Sequence, residues 1–336
     1  MRLKDVAQLA GVAVNTASTI LNQRPNSWAS KNTRERVMKA AEELGYRPNR
    51  AALALQSGRF NTIGLLVADL DNPYFCHFSK VFGSLVEREG FDLVIESWQT
   101  SLEREARLLD DFVDRNIDGL AVFVSNLDEH KEILTRHRKA GFPIVALAMP
   151  GAGDAPVDVV MPNFELGLED ATRCLYQLGH RRFAFLAALS EGQKEGGRID
   201  FFRTMIQQFD DAEIEFVQCG PGIDDARIAG LDLLRGDVRP TAIVCLNDLC
   251  AFGVMRAAKE LSLEIPEDLS VVGVDGVPLG EHLIVSLTTI QQAHVEMAEQ
   301  AFEFLKSRLE GDRETAPRVA TFDARFIARE SIAKAK

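Results

Sequence analysis

Long apolar runs are missing from this chain. A membrane-spanning helix needs about 18–20 consecutive apolar residues, and the best candidate, Thr62 to Leu70, is only strand-length and ends in acids. The N-terminus, MRLKDVAQLAG, has no apolar core followed by a small-residue cleavage site, so it does not read as a secretory signal. A cytoplasmic protein with no membrane partner is expected. Cysteine is scarce: Cys76, Cys174, Cys219, Cys245 and Cys250 are odd in number, scattered, and never in C-x-x-C spacing. That pattern excludes a disulfide framework or a zinc site, and the five are read as ordinary buried or partly exposed thiols.

Catalytic signatures are equally thin. The six histidines show no HExxH or triad-like context. GAGDAP at 151–156 lacks the third glycine of a dinucleotide fingerprint and reads as a loop. His130 and His137 share a predicted helix face, where solvated side chains are expected rather than ligands. No enzyme, no cofactor and no metal are therefore expected.

What the chain has is ordinary globular material: 336 residues, 46% hydrophobic and 26% charged, enough for two or three compact units. Its net charge of −12 is unevenly distributed. Residues 1–60 carry ten Lys or Arg against four acids, a balance of +6, which leaves −18 on the other 276 residues. A basic head on an acidic body suits a polyanion-binding module fused to a domain that must not stick to nucleic acid.

The head reads as three short helices. Leu3 to Ala10 precedes Gly11, a natural break, and Val14 to about Leu21 follows, ending at Asn22. In this helix-turn-helix pattern Val6, Leu9, Val12, Ala17 and Leu21 are expected to pack the pair, leaving Asn15, Thr16, Ser18, Thr19 and Asn22 as a small polar face for the major groove. Ser30 is a good N-cap for a third helix that keeps Val37, Ala40, Ala41 and Leu44 on one face before Gly45. Residues 49–59 favour helix over only about two turns, too short to form without a partner.

From Thr62 onward strands and helices alternate, TIGLLVAD, FDLVIES, GLAVFVS and PIVALAM, then RRFAFLAAL, EIEFVQC, AIVCLN and SVVGVDG. Such alternation predicts two parallel α/β units with a cleft between them. Ligands bind beyond the carboxyl ends of such strands, near Asp69 to Phe75, Ser97 to Trp98, Asn247 to Asp248 and Asp275.

The segments LKDVAQLAGVAVNTASTILN, SKNTRERVMKAAEELGYRPNRAALALQSGR, NTIGLLVADLDNPYF, LGHRRFAF, PTAIVCLNDLCAFGVMRAAKELSLEIPEDLSVVGVDG, LTTIQQ and FIARES run through the whole chain in order. Together they resemble the lactose-repressor (LacI-type) family of bacterial transcription regulators. The resemblance implies an α/β fold class: an N-terminal helix-turn-helix head plus a two-lobed, periplasmic-binding-protein-like core with parallel sheets. It further implies a homodimer that binds a near-palindromic double-stranded operator DNA and takes a small-molecule effector, a carbohydrate, between the lobes. The implied divisions are 1–47 for the DNA-binding domain and 48–60 for a hinge helix and linker. The first lobe then spans 61–161 plus about 292–321, and the second 162–291 plus about 322–331. The chain continues only five residues past Ser331, which leaves no room for a C-terminal heptad segment and favours a dimer over a tetramer.

By position, the resemblance puts Val14, Asn15 and Thr19 on base-reading sites and Thr16, Ser18, Asn22 and Asn49 on phosphate-contacting sites. Ala52 and Leu55 fall in the minor-groove hinge, with Leu55 as the wedge. Asp69, Tyr74, Phe75, Trp98, Arg198, Asn247, Asp275 and Gln292 fall on or beside effector-contacting positions. The chemistry agrees: Asn pairs bidentately with adenine, an apolar wedge unstacks a base step, and carboxylates, amides and a guanidinium suit sugar hydroxyls. There are departures. Ala13 replaces a usual Ser, Thr19 and Leu53 stand where many members have Arg, and Trp28 replaces a polar loop residue. Asp225 occupies the place of a stacking aromatic, and Ala148 that of an Asp. A binding protein of the periplasmic type would share the core but need an export signal and no head, and an α/β enzyme would need a reactive constellation. Neither requirement is met by these residues.

Overall fold

Helix-breaking glycines divide the head where the sequence pattern predicts. In the computed structural model, which describes residues 1–22, 29–47, 58–99, 101–148, 155–187 and 198–336, three helices span Leu3–Ala10, Val14–Leu21 and Lys31–Glu43. Gly11 ends the first at φ 67°, a left-handed conformation that costs a residue without Cβ little, and the Val12 amide donates back to the Ala7 carbonyl at 3.0 Å. The Ser30 hydroxyl accepts from the Thr33 amide and caps the third helix. Val6, Ala7, Ala10, Ala17, Ile20, Val37, Ala40 and Ala41 form the small core, with Val12, Leu21 and Leu44 packed at its margin. Leu9 departs from expectation. It is 49% exposed, because Val6, Ala7 and Ala10 already fill the apolar stripe and Leu9 falls at its edge.

Residues 62–336 form a second compact unit containing two six-stranded sheets. The strands are β1 (Thr62–Val67), β2 (Asp92–Ser97), β3 (Gly119–Phe123), β4 (Ile144–Leu147), β5 (Asp158–Asn163), β6 (Arg182–Ala187), β7 (Glu213–Gln218), β8 (Ala242–Cys245), β9 (Ser270–Asp275), β10 (Thr288–Gln291), β11 (Val319–Asp323) and β12 (Arg325–Ile327). Spatial order is β11-β5-β4-β3-β1-β2 in one sheet and β12-β10-β9-β8-β6-β7 in the other. All pairings are parallel except β12 against β10. Parallel sheets need both faces covered, and the side-chain alternation provides for it. Ile63, Leu65 and Val67 of β1 enter one apolar cluster with Phe78, Phe82, Met297 and Phe302. Leu66 faces the other way, toward Leu108, Leu109 and Phe112. The second sheet does the same, with Phe183 and Phe185 on one face and Ala184 and Leu186 on the other.

Two features, the strand β5 and the burial of two histidines, were not foreseen. The strand β5, in the run VDVVMPN, follows a turn-rich stretch that hides its length, yet it pairs with both β4 and β11. The helix His294–Leu309 buries Met297, Ala298, Ala301, Phe302 and Leu305 against the first sheet. His130 and His137 are not solvated but 4% and 7% exposed. His137 Nε2 lies 3.1 Å from Asp110 Oδ1, and His130 Nε2 lies 3.2 Å from Oε1 of the fully buried Glu105. Both are held by acids on the neighbouring helix Leu102–Asp114, which a single-helix pattern does not reveal. No helix among the described residues is long and apolar enough to cross a membrane.

Asp158 fastens the late helix to the first sheet. Its Oδ2 accepts from Arg308 Nε at 2.9 Å and Arg318 Nη2 at 2.7 Å, and its Oδ1 from Arg308 Nη2 at 2.8 Å and the Arg318 amide at 2.8 Å. Burial works against ionisation here, but the hydrogen bonds from Arg308 and Arg318 outweigh it and hold the carboxyl below its usual range. The stabilisation is therefore present above the ordinary carboxylate range and lost as pH falls through the depressed value. Asp158→Ala removes the buried carboxylate that two guanidinium groups share, leaving Arg308 with Asp312 and backbone carbonyls and Arg318 with Ser307 and the Phe304 carbonyl, and should cost about 3–5 kcal/mol. Urea unfolding at neutral pH checks this; a loss under 1 kcal/mol would remove the clamp from the account.

Candidate functional site

The polar face of the second helix lies open in the head. Ala13 holds the N-cap position with no side-chain cap, leaving amides of the first turn free for an anion. Val14 is 42% exposed, Asn15 is exposed, and Thr16, Ser18, Thr19 and Asn22 are half-buried. Thr19 Oγ1 donates to the Asn15 carbonyl at 2.8 Å, so its hydroxyl presents only lone pairs outward. Asn22 Nδ2 donates to Ser18 Oγ at 3.2 Å, a bond that does not use the Ser18 hydroxyl hydrogen. Asn49, Ala52, Leu55 and the departures at Trp28 and Leu53 lie outside the described residues.

In the larger unit Asp69, Tyr74, Phe75, Trp98, Arg198, Asn247, Asp275 and Gln292 all line one cavity of about 380 Å³. Strand ends position them: Asp69 follows β1, Trp98 follows β2, Asn247 follows β8, Asp275 ends β9 and Gln292 follows β10. Tyr74 and Phe75 occupy the first turn of the helix Pro73–Arg88, whose N-cap is Asn72. The cavity thus draws on both sheets.

Arg198 and Asp275 set its electrostatics. Arg198 Nη1 donates to the Leu246 carbonyl at 2.7 Å, and its guanidinium carbon lies 4.7 Å from the centre of the Phe164 ring. Burial lowers its pKa, while Asp275 opposes the shift. Asp275 Oδ1 accepts from Gln292 Nε2 at 2.7 Å and Oδ2 from Asn72 Nδ2 at 3.4 Å. Burial pushes the Asp275 carboxyl up to about 6, against the pull of Arg198, Gln292 and Asn72. Its backbone sits at φ 113°, a strained value for a residue with a Cβ, of the kind found at ligand clamps. Behind it, Asp248 Oδ1 accepts from Thr289 Oγ1 at 2.6 Å and Oδ2 from the Val277 amide at 2.7 Å. Burial and Asp275 raise the Asp248 carboxyl to about 7. Gly273 makes room for it, since a Cβ there would fall 2.1 Å from Asp248 Oδ1.

Other predicted residues serve the frame as well as the cavity. Asn247 caps the helix Asp248–Glu260, its Oδ1 accepting from the Cys250 amide at 2.7 Å, and its Nδ2 donates to the Pro221 carbonyl at 3.2 Å. Asp69 Oδ1 accepts from the Asp71 amide at 2.9 Å. Trp98 is both a core-edge residue, 7% exposed with Nε1 donating to the Phe123 carbonyl at 3.1 Å, and a cavity wall. Asp225 is not among the described lining residues, whereas Pro221 is.

Sequence reasoning did not single out Asn72, Phe123 or Ser125. Asn72 carried a signal, an Asn before Pro at a helix start, and it joins the loop after β1 to Asp275. Phe123 packs edge-on against Phe75 at 5.0 Å between ring centres. Ser125 reaches the cavity with its Oγ donating to buried Glu105 Oε2 at 2.5 Å, so it offers a ligand an acceptor. Neither had a local sequence signal.

A basic helix-turn-helix head joined to a two-sheet α/β unit with a cavity between the sheets defines a DNA-binding regulator with an effector-binding core. Residues 2–49 match the family described as bacterial regulatory proteins, lacI family, and residues 172–332 match the periplasmic binding protein-like domain. The HTH-type transcriptional repressor PurR of Vibrio vulnificus is 31% identical over 335 residues, covering 99% of this chain and 98% of that protein. The chain belongs to the lacI family: it is a LacI-type DNA-binding transcriptional repressor, and the family is one of repressors rather than enzymes. Among solved structures, a complex of the transcriptional regulator CelR with cellobiose is 26% identical with TM-score 0.70, covering 98% of this chain and 99% of that one. The lac repressor dimer bound to operator and the anti-inducer ONPF shares the fold at 22% identity and TM-score 0.81, covering 99% of each chain.

Proposed function

We propose that the protein acts in the cytoplasm as a homodimeric repressor of a near-palindromic operator, controlled by a carbohydrate bound between its two lobes. The observation that carries this reading is the convergence of eight effector-type residues from both sheets on one cavity of about 380 Å³. That volume lies in the range of small-ligand sites. Polar groups there suit hydroxyls, and Tyr74, Phe75, Trp98 and Phe123 supply faces for the apolar side of a ring. The similarity to a cellobiose-bound regulator supports a carbohydrate, and the likeness to an operator-bound dimer supports the mode of DNA binding.

On DNA, Val14, Asn15 and Thr19 read bases while Thr16, Ser18, Asn22 and Asn49 hold phosphates. Ala52 and Leu55 enter the minor groove from the hinge segment 48–60. Asn72 donates to Asp275 across the cleft, so a ligand that engages Asp275 alters a contact between the loops of the two sheets. Any resulting lobe rotation changes how two hinge segments face each other, and hence the free energy of operator binding.

A panel of sugars and sugar phosphates, scored by thermal stabilisation and then on operator DNA, tests the effector class. Stabilisation by a carbohydrate that also shifts operator affinity is expected. If only flat nitrogen heterocycles stabilise the protein, using the same aromatic walls, the carbohydrate assignment is wrong. On the DNA side, Asn15→Ala should relax the sequence selected from random DNA at one position by about 1–3 kcal/mol. Asn22→Ala should weaken all sequences alike. An unchanged selected motif in Asn15→Ala would remove that residue from the reading face.

A further inference from the structure

A second, smaller cavity lies at the other edge of the first sheet, where its parallel strands begin. Its volume is about 40 Å³, and its walls come from the residues entering β4, from the start of β5 and from the end of the helix His294–Leu309. At ~10–15 Å³ of such space per water it has room for about three, the size of one tetrahedral oxyanion. Three arginines line it, Arg138, Arg308 and Arg313, against two acids, Asp158 and Asp312.

Both acids are already engaged. Asp158, fully buried, holds Arg308 and Arg318. Asp312 accepts from the Thr315 amide at 3.2 Å and from the Ser307 hydroxyl at 3.1 Å, and lies 3.7 Å from Arg308. The two carboxylates thus balance Arg308 and Arg318. The side chains of Arg138 and Arg313 make no hydrogen bond or ion pair among the described residues, so two positive charges stand unbalanced on a unit that is otherwise strongly acidic. Arg313 is nevertheless held in place. Gly141 sits at φ 79°, and a Cβ there would fall 3.2 Å from both Cζ and Nη1 of Arg313, so the guanidinium rests against a residue that has no side chain to displace it. We propose that this cavity is a binding site for one phosphate group, held by Arg138 and Arg313 and separate from the effector cavity.

Charge and shape select the ligand. Two guanidinium forks match the oxygens of a tetrahedral dianion pairwise, and the apolar walls from Phe142, Ile144 and Val157 strengthen the attraction. A carboxylate or a phosphodiester carries one negative charge and leaves one arginine unbalanced. Inorganic phosphate and the end group of a small phosphomonoester carry two at neutral pH. The cavity is too small for a sugar ring, so the rest of a monoester lies outside its mouth. Arg138 ends the helix Lys131–Lys139, and Arg313 lies in the segment that leads from the helix His294–Leu309 into β11. A phosphate between them therefore staples that late segment to the body of the first sheet and stabilises the fold by mass action.

The test uses the full-length chain with neither operator nor sugar present, so it is decided apart from the carbohydrate reading. Wild type and the double variant Arg138→Gln/Arg313→Gln are titrated at pH 7.5 with sodium phosphate and with glycerol 3-phosphate, sodium chloride holding the ionic strength constant. Calorimetry and thermal unfolding are read together, and operator binding of the double variant confirms that it is folded. Expected are saturable binding and a rise in Tm for wild type, a loss of affinity of about tenfold or more in each single variant, and no saturable binding in the double variant. Binding of glycerol 3-phosphate as tight as that of phosphate assigns the site to monoesters, and binding of phosphate alone assigns it to the free ion. Absence of saturable binding to wild type, equal binding by wild type and the double variant, or a Tm rise that sodium chloride reproduces would overturn the proposal.

Discussion

Asp275→Asn is expected to weaken effector binding by about 10- to 150-fold while operator binding persists, the equivalent of ~1.5–3 kcal/mol for one charge-assisted hydrogen bond. The substitution keeps the shape, and Asn tolerates unusual positive φ better than most residues, so the strained backbone at φ 113° should survive. An Asn can still accept from Gln292 Nε2, but it no longer offers a charge to Arg198 or to the ligand. Because the carboxyl titrates near 6 in the free protein, wild-type affinity should fall as pH drops through that value, and the variant should show no such fall. Calorimetry with the carbohydrate that emerges from screening, at pH 5 and pH 8, is the measurement. Equal affinities of the two proteins at pH 8 would remove Asp275 from the ligand site.

The second large effect is on stability and comes from Asp248. Its carboxyl is raised from 3.8 to about 7, so the folded protein holds this proton more tightly than the unfolded chain does. The associated stability is fully present below the ordinary carboxylate value and is lost as pH rises through about 7. At full titration this displacement corresponds to on the order of 4 kcal/mol. Asp248→Asn removes the titration, so the stability of the variant minus that of wild type should climb between pH 4 and pH 8 by an amount of that order. Lost bonds from Thr289 and the Val277 amide shift this difference by a constant at each pH without changing its slope. Urea unfolding of both proteins across this pH range provides the comparison. A pH-independent difference would show that the buried carboxyl titrates normally.

Local rules made much of this molecule legible. The left-handed glycine at position 11, the Ser30 cap and the apolar spacing of Val37, Ala40 and Ala41 needed only the adjacent few residues. The strand ends pointed to Asp69, Trp98, Asn247 and Asp275 because a parallel sheet delivers its loops to one edge. What escaped depends on distant partners. Glu105 reads as one of several acids on an amphipathic helix, and only the packed structure shows it accepting from Ser125. Leu9 looked like core because its helix offered more apolar side chains than its small partner could cover. Asn72 and Asp275 are 203 residues apart, and no periodicity connects them.

The order in which the first sheet is completed has a consequence for synthesis. Its inner strands arise early, but the helix 294–309 that covers one face, the arginines that neutralise Asp158 and the pairing strand β11 all come from the last fifth of the chain. A chain emerging from the ribosome therefore carries an uncovered apolar sheet surface, with β5 unpaired on one side, throughout translation of the second sheet. Exposed surface and strand edges of this kind invite aggregation and chaperone capture. Nascent chains arrested before residue 294 should be cut readily within 62–163 by a mild protease, whereas released full-length chains should resist. The carboxyl-terminal segment thus sets the moment at which the amino-terminal lobe becomes native.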